Sequence, residues 1–272
     1  MIGFYYYGIN SDERRNVSKS LKFVLGEKNG KIQFQSILFR TYFGIFEHYF
    51  EKMINAHKSL PEMMDYLQNS ISFSGRDLMD KITSKHKGLI FVTGHFGAVE
   101  YIPLYLAANG YRPSMILRFK TKELKEALVD KSNSMDLELI DADSHNVIYK
   151  ALSALKEGRI LITMCDEIRS WRPCSKKNTQ LFGRHIPKDR TLDLLYKRSK
   201  APMCFGIVRR KKTGYDLSIH PVADGEETCS VCEASWNLLE QYVYRNPDQW
   251  YQWPSFYPEF INYMSNQECY DC

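Results

Sequence analysis

The sequence has no apolar run long enough to cross a bilayer. The longest apolar stretch near its start, 1–9, falls far short of the roughly 20 residues that a membrane-spanning helix needs. The first residues also lack the basic segment and the cleavage site of a secretory signal peptide. A reducing cytoplasm is therefore the simplest compartment to expect.

Cysteine is also sparse: seven cysteines in 272 residues do not make a disulfide framework. Two pairs, Cys229 with Cys232 and Cys269 with Cys272, have the two-residue gap of a zinc knuckle. The 36 residues between the pairs exceed the roughly 15–20 of a zinc ribbon. Independent thiols are thus favoured over a structural zinc site, and a non-enzymatic zinc-binding module is the alternative that metal analysis would test.

The positive charge is too small to indicate a nucleic-acid partner. The net charge is +5, no long run of lysine and arginine follows a helix face, and no zinc-finger pattern is present. Two basic clusters occur, 209–212 and 176–177. Solvated loops are the favoured interpretation of both, and contact with an acidic partner or an anionic lipid surface is the alternative.

The hydrophobic pattern changes from helical to alternating near residue 71. Apolar residues at helical spacing predict helices from Ser11, from Lys31 and from Pro61. Beyond that point short apolar runs alternate with helical segments, which predicts an α/β fold with a mostly parallel central sheet and helices on both faces. We expect an N-terminal helical portion, 1–70, and an α/β portion, 71–272, within one continuous domain. The aromatic segment Phe4–Tyr7 is a candidate for contact with lipid headgroups.

A candidate catalytic histidine follows the apolar run Leu89–Val92. His95 stands in a turn between two glycines, and Glu100 comes five residues later. A turn after a strand is where open α/β sheets bind ligands, and a histidine with a carboxylate partner suits general-base chemistry. Five residues on one regular helix would separate the side chains by about 140°, so His95 must lie before the helix. His57 and Glu62 share the spacing without a preceding strand, so spacing alone fits a buried structural histidine equally well.

Further motifs follow the histidine block in a defined order. Asp166 and Glu167 follow the predicted strand Ile160–Met164 after one intervening residue, and an Asn-Pro-Asp-Gln-Trp segment begins at Asn246. Together with Gly-His-Phe-Gly-x-x-Glu, this set resembles the lipid A biosynthesis acyltransferase family, a branch of the lysophospholipid acyltransferase superfamily. The resemblance runs from about residue 14 to about residue 253 and implies a glycerol-phosphate acyltransferase-like fold.

The resemblance implies acyl transfer from a thioester, on acyl carrier protein or CoA, to a hydroxyl of a lipid or glycolipid. It assigns His95 as the base and Glu100 as its partner, with no cofactor and no enzyme nucleophile, which agrees with the lack of a Gly-x-Ser-x-Gly motif. Arg118 and Asp166 are expected at the substrate site, where Asp166 either orients the substrate or pairs with Arg118, and Arg209 is a weaker candidate. Glu167 stands where the family usually has glutamine.

The sequence also departs from the family pattern. Family members usually begin with a membrane-spanning helix, and their tail is basic, whereas 254–259 is aromatic here. We therefore expect peripheral contact with the cytoplasmic face of the inner membrane. The open alternatives are a different lipid or carrier-bound acceptor, or hydrolysis of the acyl thioester.

Overall fold

The fold is described from a computed structural model over residues 10–26, 31–85, 88–119, 121–225 and 230–268. The Phe4–Tyr7 segment and the cysteines at 229, 269 and 272 lie outside these residues. Within them, no helix combines the length and the apolar character that crossing a bilayer requires.

Three helices precede the first strand: α1 (Ser11–Leu25), α2 (Lys31–His57) and α3 (Leu60–Ser70). Helix α1 is capped by Asn10, whose side-chain oxygen accepts a hydrogen bond from the backbone N–H of Glu13. Helix α3 begins with a Ser59–Glu62 capping box and has a proline in its first turn. These local signals explain why the helix starts agree with the sequence to within a residue.

The main sheet has seven strands in the described part of the chain, and it confirms the predicted fold class. The strands are β1 (Ile71–Ser74), β2 (Leu89–Thr93), β3 (Pro113–Leu117), β4 (Glu138–Asp141), β5 (Ile160–Met164), β8 (Met203–Arg210) and β9 (Tyr215–Ala223). Their order is β1-β9-β8-β2-β5-β3-β4, and every neighbouring pair is parallel except β8 with β9. Strand β2 therefore lies at the centre, between β8 and β5.

Helices cover both faces of this sheet. They are α4 (Arg76–Lys85), α5 (Ile102–Ala108), α6 (Lys122–Asn133), α7 (Val147–Lys156), α8 (Thr191–Ser199), α9 (Val231–Arg245) and α10 (Trp253–Glu268). Strand β2 contributes Ile90 and Val92 to one hydrophobic core and Leu89 and Phe91 to the other. Because both faces are buried, this strand is an uninterrupted apolar run in the sequence.

A separate antiparallel hairpin, β6 (Pro173–Leu181) and β7 (Arg184–Asp189), was not expected from the sequence. Its turn consists of Phe182 and Gly183, both with positive φ, as two-residue hairpins require. The ring of Phe182 packs against Trp250 and Phe256 at centroid distances of 5.5 and 5.3 Å. The hairpin turn is thus anchored in the same core as the aromatic residues near the chain's end.

The aromatic segment after residue 252 is also a helix, α10, although it contains Pro258. It packs against α1: the ring of Phe23 contacts those of Phe256, Tyr257 and Phe260 at centroid distances of 6.3, 5.3 and 4.9 Å. The backbone N–H of Tyr257 also donates to Ser20 Oγ at 3.1 Å. The last described helix therefore closes against the first.

Candidate active site

The site lies where β2 and β5 end side by side. These strands are parallel neighbours, and their last residues, Thr93 and Met164, are in register. His95 follows Thr93 by two residues, and Asp166 follows Met164 by two residues. Because the carboxyl ends of parallel strands share one edge, this register brings the two side chains together.

Asp166 holds His95 through both its side chain and its backbone. His95 Nδ1 is 2.8 Å from Asp166 Oδ1, and the backbone N–H of His95 donates to Oδ2 at 2.8 Å. Trp250 Nε1–H donates to the same Oδ2 at 2.8 Å. The carboxylate is fully buried, whereas the imidazole remains 14% exposed. A buried carboxylate with three partners is a rigid support for the ring.

The turn that carries His95 is clamped between β8 and the segment before α10. Gly97 has φ +57°, and a Cβ there would lie 1.8 Å from the carbonyl oxygen of Val208, so only glycine fits. The N–H of Gly97 donates to Gln249 O, and the N–H of Tyr251 donates to His95 O. Backbone hydrogen bonds therefore hold the segment of Gln249 and Tyr251 against the turn that carries His95.

Arg210 is a supporting residue that the sequence did not single out. It donates to Gly97 O at 2.9 Å and makes two hydrogen bonds to Glu51, at 2.7 and 2.8 Å, with both side chains buried. Arg209, the predicted substrate contact, is instead half-exposed and pairs with Asp216 on β9 at 3.5 Å. Successive side chains of a strand point to opposite faces, so only one of the two arginines reaches the turn.

The structure gives Glu100 surroundings that differ from those in the sequence hypothesis. Glu100 lies in a 3₁₀ turn, 3.2 Å from Lys52 Nζ and 3.8 Å from His48 Nε2. Among the described residues, the carboxylate that bonds His95 Nδ1 is that of Asp166. Glu100 therefore belongs to a neighbouring polar cluster, and its catalytic role stays a prediction.

Tyr251 separates that cluster from the candidate base. The ring of His48 stacks on Tyr251 at a centroid distance of 3.5 Å, and the edge of the His95 ring meets Tyr251 at 5.3 Å. Burial, together with the nearby charges of Lys52 and Arg210, lowers the pKa of His48 to about 2. His48 is thus a neutral packing residue beneath the site.

Arg118 also has a partner other than the one considered from the sequence. It follows β3 at the same sheet edge, and its Nε–H lies 2.9 and 3.2 Å from the two oxygens of Asp143. This hydrogen bonding raises the pKa of Arg118, although partial burial opposes it. The suggested pairing of Arg118 with Asp166 is replaced by two pairs, Arg118–Asp143 and His95–Asp166.

The charges around His95 favour its protonated form. Burial opposes a charge there, yet Asp166 and Glu167 raise the pKa of His95 to about 10. Burial alone would raise the pKa of Asp166, but His95 and the N–H donors hold it below its ordinary value. Glu167 Oε1 lies 3.2 Å from His95 Nε2, so each ring nitrogen faces a carboxylate.

A sequence profile described as Bacterial lipid A biosynthesis acyltransferase matches residues 1–253. The chain belongs to this family. No curated protein matches it.

Membership in the lipid A biosynthesis acyltransferase family confirms the resemblance stated above, and it implies an acyltransferase of lipid A biosynthesis. The matched range contains His95, Asp166 and Trp250, and it ends at Trp253, where α10 begins. The site geometry and the family match therefore concern the same part of the chain.

The cysteine pairs do not lend support to a metal site. Cys232 is buried, and the described residues include no group of His, Cys, Asp and Glu that could hold a metal ion. The other three cysteines of the two pairs lie outside the described residues, so the zinc hypothesis remains a matter for metal analysis.

Proposed function

We propose that this protein transfers a fatty acyl group from an acyl thioester to a hydroxyl of a lipid A precursor or a related glycolipid, with His95 as the general base. The observation that carries the proposal is the hydrogen bond from His95 Nδ1 to the buried Asp166. It fixes the ring so that Nε2 is the nitrogen directed away from the core.

The reaction needs only one group that can accept and return a proton. The acceptor oxygen attacks the thioester carbonyl carbon while its proton moves to Nε2 of neutral His95. The carbon–sulfur bond then breaks, and the thiolate leaves with that proton. A positioned general base of this kind contributes about 10²–10⁴ in rate.

Asp166 performs the supporting role in this scheme. Its bond to Nδ1 selects the tautomer with an unprotonated Nε2, and its charge stabilises the imidazolium that forms during the transfer. Trp250 and the backbone N–H of His95 fix the carboxylate in turn. This arrangement replaces the His95–Glu100 pair of the sequence hypothesis as our proposed catalytic unit.

Helix α2 offers a surface for peripheral contact with a lipid bilayer, where the acceptor would be found. Tyr49, Phe50 and Met53 are 53%, 55% and 56% exposed. The same helix carries Lys52, which reaches Glu100 beside the site. Exposed aromatic and apolar side chains with a nearby cation suit an interfacial position. Replacing Phe50 and Met53 with glutamate should reduce co-sedimentation with anionic vesicles, whereas equal sedimentation would contradict this contact.

The basic stretch 209–212 is a weak candidate for docking an acidic carrier protein, because most of its charges already have acidic partners within the chain. Arg210 is buried against Glu51, and Arg209 and Lys211 both pair with Asp216. The donor thioester is therefore best identified by offering acyl carrier protein and CoA derivatives separately.

Radiolabelled acyl transfer tests the proposal directly. Wild-type protein is incubated with labelled acyl thioester and a lipid A precursor, beside His95→Ala and a control variant, His57→Ala, whose histidine is exposed. We expect labelled lipid from wild type and control, and a loss of about 10²–10⁴ in rate for His95→Ala. Labelled free fatty acid without labelled lipid would favour a hydrolase, and full activity of His95→Ala would overturn the mechanism.

A further inference from the structure

Glu167 covers the nitrogen that must receive the acceptor's proton. Its Oε1 lies 3.2 Å from His95 Nε2, within reach of a charge-assisted hydrogen bond. An acceptor hydroxyl has to approach this same nitrogen to within about 2.6–3.2 Å for proton transfer. The carboxylate and the hydroxyl therefore compete for one position.

The two carboxylates that flank the imidazole differ in their freedom to move. The side chain of Asp166 is fully buried and held by three donors, whereas that of Glu167 is 41% exposed. Displacing Asp166 would leave an unpaired buried charge, but Glu167 can turn into solvent. Of the two ring nitrogens of His95, only Nε2 can therefore become accessible to an acceptor hydroxyl.

Every element packed against His95 contributes to its charge environment. The loop after β5 supplies Asp166 and Glu167, and the segment before α10 supplies the neutral groups Gln252, 2.9 Å from Nδ1, and Tyr251. Behind Tyr251, helix α2, the 3₁₀ turn and β8 bring the set His48, Lys52, Glu51, Glu100 and Arg210. Among the described residues, Glu167 is the one anion in contact with His95 that is partly exposed.

Two arginine side chains lie near Glu167, on the side to which its carboxylate would move. Arg118, at the same sheet edge, interacts electrostatically with Glu167. Arg169, two residues further along the chain, is exposed and pairs with Glu259 at 2.7 Å. A carboxylate that leaves Nε2 therefore turns into solvent near two arginines, which themselves pair with Asp143 and Glu259.

We propose that Glu167 is a positioning residue that covers Nε2 in the resting site, leaves when the acceptor hydroxyl binds, and so sets the pH range in which His95 acts as a base. The inference rests on the proposed function. Glu167 leaves as a carboxylate, and the imidazolium then loses its Nε2 proton to water: the N–H bond breaks and the water molecule gains an O–H bond. His95 is then neutral and receives the acceptor's proton.

Histidine NMR titration of the full chain tests this step without requiring turnover. The His95 resonance, assigned by its loss in His95→Gln, is followed against pH in wild type, Glu167→Gln and the exposed control Glu126→Gln. Removing the second carboxylate should lower the pKa of His95 by about one unit or more, because a nearby opposite charge accounts for about 1–3 units. The acid limb of the kcat/KM profile should move to lower pH by the same amount, and Glu126→Gln should match wild type.

Several outcomes separate the two proposals. An unchanged His95 pKa in Glu167→Gln, or a changed pKa with an unmoved pH profile, would overturn the role of Glu167. A lowered pKa in a protein that shows no acyl transfer would overturn the proposed function while leaving the contact in place. Glu167→Ser serves as the second variant if Glu167→Gln fails to fold, with the same expectations.

Discussion

The acidic residues Asp166 and Glu100 both lie near the candidate base, but the protein holds them in opposite ways. Asp166 is fully buried and accepts hydrogen bonds from the ring, the backbone and an indole. Glu100 is 26% exposed and faces an ammonium group at 3.2 Å. Glu100, the carboxylate nearer to His95 in the sequence, belongs to the separate polar cluster with Lys52 and His48. Sheet register, not closeness along the chain, selects the partner of the histidine.

Removing the charge of Asp166 should have the largest effect. In Asp166→Asn, the amide can donate to Nδ1 and so favours the tautomer whose Nε2 carries the proton, as in serine triads, where the loss is about 10⁴ in kcat. We expect a loss on the order of 10³–10⁴, measured as acyl transfer by folded protein. Asp77→Asn, an exposed carboxylate on α4, is the matched control. A loss below tenfold would mean that Asp166 does not orient the base.

The arginine pair on β8 provides a second contrast, between a buried and an exposed cation. Arg210→Ala removes the partner of buried Glu51 and should lower the free energy of unfolding by about 3–5 kcal/mol. Arg209→Ala loses only a half-exposed contact with Asp216, which is worth about 0–1 kcal/mol. Urea unfolding of the two variants measures the difference. Equal values would show that the clamp on Gly97 does not depend on Arg210.

Neutralising Glu100 should have a smaller effect on turnover than neutralising Asp166. Glu100→Gln keeps the shape of the side chain and loses a partly exposed ion pair, so a decrease of about tenfold or less in kcat/KM is expected. The same transfer assay measures it beside Asp166→Asn. A loss in Glu100→Gln as large as that in Asp166→Asn would restore the pairing that the sequence suggested.

The pH dependence of stability should report the charges around His95. Its pKa in the folded protein is raised to about 10, against an ordinary value of about 6.5. The stabilisation is therefore fully present below about pH 6.5 and is lost as the pH rises through 10. The unfolding free energy of wild type minus that of His95→Gln should fall between pH 7 and pH 10. A constant difference would show that the two carboxylates do not hold the ring in its charged form.

Much of the fold followed from local patterns. The buried strands β2 and β5 are apolar runs, and the glycines around His95 placed it in a turn before a helix. Helix α10 was not predicted from the sequence, because Pro258 and a high aromatic content gave no regular apolar spacing. The β6–β7 hairpin was not predicted either, because its strands carry lysines and prolines instead of alternating apolar residues.

The site itself required information that no single segment contains. His95 and Asp166 were both singled out, but their pairing depends on β5 lying next to β2, and sheet order is not encoded in either strand. Whether Arg209 or Arg210 faces the His95 turn depends on which face of the strand each side chain occupies. A shift of one residue reverses this, and the sequence pattern at a strand end does not fix it. Residues were therefore easier to predict than their partners.

The order in which the chain is synthesised gives Trp250 and helix α10 a further significance. The turn bearing His95 leaves the ribosome long before the segment that clamps it and before the helix that closes on α1. A domain generally folds as a unit, and N-terminal domains fold first during synthesis. The supported geometry of the His95 turn therefore cannot form until Trp250 and helix α10 have been synthesised.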